Sequence, residues 1–353
     1  MFGVISQWYQ KHFSNPQLVI LVLIIITGFA LVLFAGDVLL PVFAGIIIAY
    51  LLEGLVVRLQ NISVPRLAAI VLVMFVSMAF IFIFTFGLFP LLTHQVTELV
   101  RDLPQIISKI QNLLLQLPEQ YPDFISQDQI KEFIGGVGAE LAGLGQKIAS
   151  VSLHSLVGVL TFMVYLVMVP LMVFFFLKDK QVIIHWVMGF LPAQRGLSTQ
   201  VWDELNHKIL CYVRGKFIEI MIVWVACYIA FALFGLHYAM LLAFLVGLSV
   251  IIPYVGAVVV TIPVVLIAWF QWGPVTDFVY VVITYLVIQA IDGTVIVPLL
   301  FAEVVNLHPL AIIIAVLFFG GVWGVWGVFF AIPLATLIQA VIKEWPAPLE
   351  QTS

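Results

Sequence analysis

The chain has 353 residues, 64% of them hydrophobic and 9% charged, and carries a formal net charge of −4. Soluble domains run at roughly 45–50% apolar and about 25% charged, so a water-soluble globule is excluded. With no basic tract and no basic–aromatic interleaving, a nucleic-acid-binding protein is excluded too. Two cysteines, Cys211 and Cys227, make neither a disulfide framework nor a metal motif and read as small buried side chains.

Lys11 and His12 precede an apolar run over 18–35 that is long for a signal sequence and lacks an Ala-x-Ala cleavage pattern. It reads as a retained first span. Phe2, Val4, Ile5, Trp8 and Tyr9 ahead of it form an interfacial anchor. Further runs follow at 38–57, which carries Glu53 near one end, and at 67–92. Each is close to the roughly 20 residues that a helix needs to cross a bilayer.

The segment 93–150 is different. Leu92, Val96, Leu99, Leu103, Ile106, Ile110, Leu113 and Leu117 are spaced alternately by four and three, with Val100, Ile107 and Leu114 beside them. The pattern predicts a helix that continues out of the third span with a seam of coiled-coil period. Pro104 is expected to kink it. Pro118, Pro122 and Asp123 mark a turn, and Ile130, Phe133, Ile134, Val137, Leu141, Leu144 and Ile148 a returning helix. The seam closes either within this external hairpin or between subunits. A fourth span covers 155–177. Beyond it, Ile183, Ile184, Trp186, Val187, Phe190 and Leu191 suggest a helix lying on the membrane surface, ended by Pro192.

From Phe217 to Ile342 there is no Lys or Arg, and the carboxylates are Glu219, Asp277, Asp292 and Glu303. The apolar runs here are 217–236, 238–270, 278–302 and 309–342. If all eight runs alternate in direction, ten of the basic residues, from Lys11 to Lys343, fall on one face. The other four lie in 93–150, a long loop that weighs little. Both termini are then cytoplasmic and 93–150 external. The organisation expected is an anchor with the first three hydrophobic segments (1–92), the external amphipathic helical hairpin (93–150), the fourth span (151–177), a cytoplasmic amphipathic segment (178–216) and a transport core with broken helices (217–353). The fold class is all-α: a polytopic membrane protein of about eight hydrophobic segments, some re-entrant or broken by Pro and Gly.

Runs 238–270 and 309–342 are too long for one straight span and too short for two. They are broken at Pro253-Tyr254-Val255-Gly256 and at Gly320-Gly321-Val322-Trp323-Gly324. Interrupted backbone is tolerated in lipid where it is buried or lines a cavity, and in secondary transporters such pairs point to the binding site. Glycines four apart also serve simple close packing. Asp292 lies between the two runs, with Gly293 and Thr294 beside it and Pro298 in the next turn. An acid at that depth takes up a proton, holds a cation or hydrogen-bonds a neighbouring helix. Glu219, beside Arg214 and Lys216, reads as a member of an interfacial ion pair. Glu303 and His308 flank the outer end of the seventh run as a possible entrance. No phosphate-binding loop, His-Glu-x-x-His site or Gly-x-Ser-x-Gly elbow occurs, so the expectation is no enzyme, no catalytic residue, no metal and no cofactor. No internal repeat stands out.

Phe174-Phe175-Phe176-Leu177-Lys178-Asp179, Arg214-Gly215-Lys216, Ile252-Pro253-Tyr254-Val255-Gly256 and Asp292-Gly293-Thr294-Val295-Ile296-Val297-Pro298-Leu299-Leu300 form an ordered series. Leu307-His308-Pro309-Leu310, Gly320-Gly321 and Ala331-Ile332-Pro333 complete it. The set resembles the autoinducer-2 exporter family of predicted permeases over nearly the whole chain. The resemblance implies a bacterial inner-membrane protein, a homo-oligomer in the lipid bilayer, whose relatives are associated with autoinducer-2 export and with sodium/proton antiport. Many relatives carry a proline after the polar residue of the second span, where this chain has Glu53-Gly54. The expected function is a secondary transporter exporting a small solute of the autoinducer-2 type. The alternatives are a sodium/proton antiporter and a non-transporting scaffold acting through the external hairpin.

Overall fold

The computed structural model describes residues 39, 41–120, 136, 143, 155–189, 196–301 and 307–343. The first span, the returning half of the external hairpin and Glu303 lie outside these. Among the described residues the fold is all-α with no strand. Its elements are α1 (Pro41–Asn61), α2 (Arg66–Ile83), α3 (Phe89–Gln120), α4 (Ser155–Lys178), α5 (Lys180–Gly189) and α6 (Gly196–Leu233). They continue with α7 (Ala239–Ser249), α8 (Val255–Trp272), α9 (Thr276–Ile291), α10 (Val297–Phe301) and α11 (Pro309–Lys343). Six helices among the described residues are long and apolar enough to cross a membrane.

α2 and α3 are one continuous rod joined by a single π turn, Phe84–Leu88, so the helix does run out of its span and passes through Pro104. Its far end is called here the arm end. The opposite end gathers Arg58, Arg66, Lys178 and Lys180 and is the basic end. There Glu53 joins three helices: Arg66 Nη2 lies 3.3 Å and Lys180 Nζ 3.1 Å from its carboxylate, and Arg66 also donates to the Leu177 carbonyl at 2.8 Å. Gly54 has its own reason. A Cβ placed there would sit 2.6 Å from Arg214 Nη2, so the missing side chain makes room for a guanidinium that reaches the Tyr50 carbonyl.

Lipid supplies no hydrophobic drive to pair helices, so close approach through small residues matters more. Gly45 lets α1 lie against Met172 and Phe176 of α4, and Gly247 lets α7 lie against Ile220 and Trp224 of α6. Three apolar clusters result. One joins α1, α2 and α4, one joins α6 to α9, and one joins α1, α6 and α10 to α11.

The last three runs do not alternate. α7 has 11 residues, about 16 Å at 1.5 Å per residue, roughly half the ~30 Å hydrocarbon core. The chain turns back at 250–254, and α8 returns to the arm end. Both open ends of this hairpin touch α3 or the α6–α7 turn: Leu241 N–H donates to Gln95, Lys109 donates to the Phe270 carbonyl, and His237 N–H donates to Gln271. α9 then runs antiparallel to α6, Tyr285 facing Phe231 and Phe301 facing Gly215. The seventh run therefore ends at the basic end, not the outer one expected from strict alternation. α11 is a second hairpin, bent at Gly324, with both arms packed beside Tyr212 and Phe301. Each hairpin returns the chain to the end it left, so the second arm of α11 runs back toward its start.

Candidate functional site

Asp292 opens a single π turn, Asp292–Ile296, that joins α9 to α10. π turns widen a helix by one residue and recur at functional sites. Gly293 removes a side chain at that turn and faces open space, while the Thr294 hydroxyl bonds back to the Ala290 carbonyl at 2.6 Å. The widening turns Asp292 toward α6. Asp292 is only 7% exposed, and its Oδ1 has no hydrogen-bond partner.

Lys216 and Glu219 face it from α6. Lys216 Nζ is 2.7 Å from Glu219 Oε2, and the two residues are 4% and 2% exposed. The π turn that carries Asp292 packs on this same helix. Glu219 is thus in an ion pair, as its spacing from Lys216 suggests, and the pair is buried within the protein. α10 and α11 cover it: Lys216 Nζ sits 5.2 Å over the Phe301 ring, and Tyr212 donates to the Phe329 carbonyl. Gly215 admits that ring, since a Cβ there would lie 2.8 Å from Phe301 Cε1.

The hairpin tips reach the same level of α6. Gly247, two residues before the end of α7, abuts Ile220, the neighbour of Glu219. Ile252 of the first tip packs into the cluster that holds Tyr212, Phe319 and Trp323 of the second. Pro253 and Tyr254 sit in the first tip, with Tyr254 exposed, and Gly256 is clamped on its own hairpin. Gly320 packs near Val328, Gly321 meets nothing within 4 Å, and Gly324 is the bend itself. Pro298, exposed in α10, and Thr294 face away from Lys216 and Glu219. His308 caps α11, its Nδ1 accepting from Leu310 N–H at 3.2 Å, and so belongs to the base of the second hairpin. Glu303, its partner in the expected entrance, lies outside the described residues.

A second polar patch has no counterpart in the sequence reading. Tyr285 lies two turns before Asp292 on the same face, fully buried, with its hydroxyl 2.8 Å from Thr261 and 3.1 Å from Gln289. The i, i+4, i+7 spacing of Tyr285, Gln289 and Asp292 was readable, but one polar group at a time does not stand out in an apolar run.

The sequence profile described as AI-2E family transporter matches residues 18–347. The chain belongs to the AI-2E family. It is 46% identical to "Putative permease PerM" of Escherichia coli K12 over 98% of both chains. It is 28% identical to YueF of Bacillus subtilis 168, covering 93% of this chain and 92% of that one. A more distant member, "AI-2 transport protein TqsA" of Escherichia coli K12, is 22% identical over 88% of this chain and 87% of its own length. The AI-2E chain is therefore a multi-span membrane protein of a permease family. Its buried acid sits in a π turn packed against α6.

Proposed function

We propose that the protein is an inner-membrane secondary transporter that exports a small solute of the autoinducer-2 type along a path past Asp292 and the two hairpin tips. The observation that carries this reading is the buried, unpartnered Asp292 Oδ1 in the π turn that packs on α6. An acceptor left unmade in an apolar interior costs about 1–3 kcal/mol, a cost that a passing ligand with a donor removes. The name of TqsA supplies the solute class. The concentration of Arg58, Arg66, Lys178 and Lys180 at one end supports a cytoplasmic placement of that end and of both termini.

The test is export from proteoliposomes loaded with autoinducer-2. Wild type releases the solute, and Asp292→Asn slows release about tenfold or more, equivalent to ~1.4 kcal/mol on the barrier. Equal rates for the two proteins would remove Asp292 from the path, and retention of solute by wild type would reject the solute class.

A further inference from the structure

α1, α2 and α4 do not close on one another completely. Between them runs a groove of about 190 Å³, walled by Ile48 of α1, by Met74 to Ile81 on α2 and by Tyr165 to Val173 on α4. Its side chains are apolar apart from Ser77 and Tyr165. Ser77 is the shortest of those on the α2 wall, and Pro170 interrupts the helix opposite. The space is larger than the ~150 Å³ cavity that takes a benzene ring, and apolar spaces of this kind stay dry. The α2 and α4 walls are about 10–12 Å long at 1.5 Å per residue, so the groove is a slot running with the helices. It opens on the outside of the bundle at Met78, which is exposed.

The slot leads to the basic end. Arg66 lies two to three turns beyond Met74 and, on an ideal helix, on nearly the same face as Ser77. Its guanidinium bridges to α4 at the Leu177 carbonyl and shares Glu53 with Lys180. Two cations on one carboxylate leave one positive charge in that trio. The side chains of Arg66 and Lys180 are still 36% and 41% exposed, whereas Glu53 is 11% exposed. The turns that carry the trio, 53–66 and 178–180, also hold Arg58, Lys178 and Asp179, so four positive charges there meet two negative ones.

We propose that the groove and the cations above it form a binding site for one anionic phospholipid, with its phosphate on Arg66 and Lys180 and one acyl chain in the slot. The charge fits, since basic pockets between membrane helices hold anionic headgroups. The length fits as well. From Arg66 to the far wall at Ile81 is about 22 Å along α2, roughly half of a ~40–45 Å bilayer with its headgroups and so the reach of a lipid in one leaflet. The seated chain fills the gap that the three helices leave and ties α4 to α1 and α2. The site rests on the groove and the charges alone and is independent of the transport reading.

The experiment titrates the delipidated full chain in detergent with dioleoyl phosphatidylglycerol and, separately, dioleoyl phosphatidylcholine, and counts bound lipid by native mass spectrometry. Wild type binds the anionic lipid about fivefold more tightly, the effect of one uncompensated cation. Lys180→Gln abolishes that preference and leaves phosphatidylcholine binding as it was. Ser77→Phe fills the slot and weakens both lipids about tenfold or more, because one chain loses its apolar seat. Equal binding of the two lipids by wild type overturns the proposal, as does unchanged binding in Ser77→Phe. A photo-crosslinking p-benzoylphenylalanine in place of Met78, on the exposed rim, tests the occupant without filling the slot. In phosphatidylglycerol-containing membranes it captures lipid. An adduct with residues 18–35 of the same chain, an adduct with a second copy, or no lipid adduct at all would mean that the slot is not a lipid site.

Discussion

The two hairpins, 239–272 and 309–343, solve one problem with different residues. Each must reverse an apolar helix inside a membrane and bring its arms close enough to leave little backbone exposed. Gly256 does this in the first, where an added Cβ would lie 1.8 Å from the Ser249 carbonyl oxygen, and Gly327 in the second, where it would lie 1.8 Å from the Phe319 carbonyl oxygen. Both second arms then carry a proline one to two turns on, Pro263 and Pro333. The tips differ. The first bends at Tyr254, with φ 63 and ψ −50, closed by Val255 N–H on the Pro253 carbonyl at 2.7 Å, a γ-turn geometry that is rare and strained. The second bends at Gly324, with φ 60 and ψ −137, a region open to glycine almost alone. One tip therefore stores strain and the other does not. The strained tip is the one that faces the second hairpin through Ile252.

The largest effect is expected at the shared feature. Gly256→Ala and Gly327→Ala each force a methyl into a backbone carbonyl that has nowhere to go, and overpacking of that kind costs about 3 kcal/mol or more. Thermal unfolding in detergent, followed by size-exclusion chromatography, should show both variants aggregating well below wild type. Gly321→Ala, with nothing within 4 Å, is the matched control and should melt with wild type. If only one of the pair is damaged, the hairpins are not built alike.

That pairing shows where the sequence was legible. The breaks at 253–256 and 320–324 stand out because Pro and Gly interrupt long apolar runs, and Asp292 stands out as an acid among them. Gly327 does not stand out, because a glycine in an apolar run carries no signal of what its missing Cβ would strike. Direction was equally hidden. An 11-residue α7 and an 18-residue α8 add up to a plausible single long run, and only their contacts with α3 show that the chain goes back the way it came. The burial of Lys216 and Glu219 was masked by their position at the start of a span, where interfacial ion pairs are ordinary. Their cover comes from Phe301 and Phe329, both distant in sequence.

The tips give the next effect. Tyr254→Gly relieves a left-handed tyrosine and should stabilise the chain by about 1 kcal/mol, the strain released less the added freedom of the unfolded glycine. Gly324→Ala should do the reverse and cost about 1–3 kcal/mol. Both are measured by the same melting assay. Opposite signs would establish that strain is confined to the first tip. Destabilisation by Tyr254→Gly would mean that the tyrosine ring holds the tip by contacts that outweigh its backbone cost.

The smallest effect separates the hairpins by what holds their bases. Gln95, Asp102 and Lys109 recur at heptad spacing on α3 and reach, in turn, Leu241 N–H, the Tyr238 hydroxyl and the Phe270 carbonyl. Leu92, Leu99 and Ile106 form the apolar row beside them, with Leu92 and Ile106 buried and Leu99 packed on the α6–α9 cluster. This part of the seam thus closes on the first hairpin of the same chain, a partner that a heptad pattern cannot name. Burial, and then the Asp102 carboxylate, raises the Tyr238 hydroxyl above its ordinary range, so that rung stays a neutral donor at physiological pH. Lys109→Met removes one exposed rung and its contact with the Phe270 ring, worth about 1 kcal/mol or less. Global melting should barely move. Hydrogen exchange should quicken in the last turn of α8 while α11, which makes no such contact with α3 among the described residues, stays at the wild-type rate. Faster exchange in both hairpins would mean that they open as one unit, and faster exchange in neither would mean that Gln95 and Asp102 hold the base without the third rung.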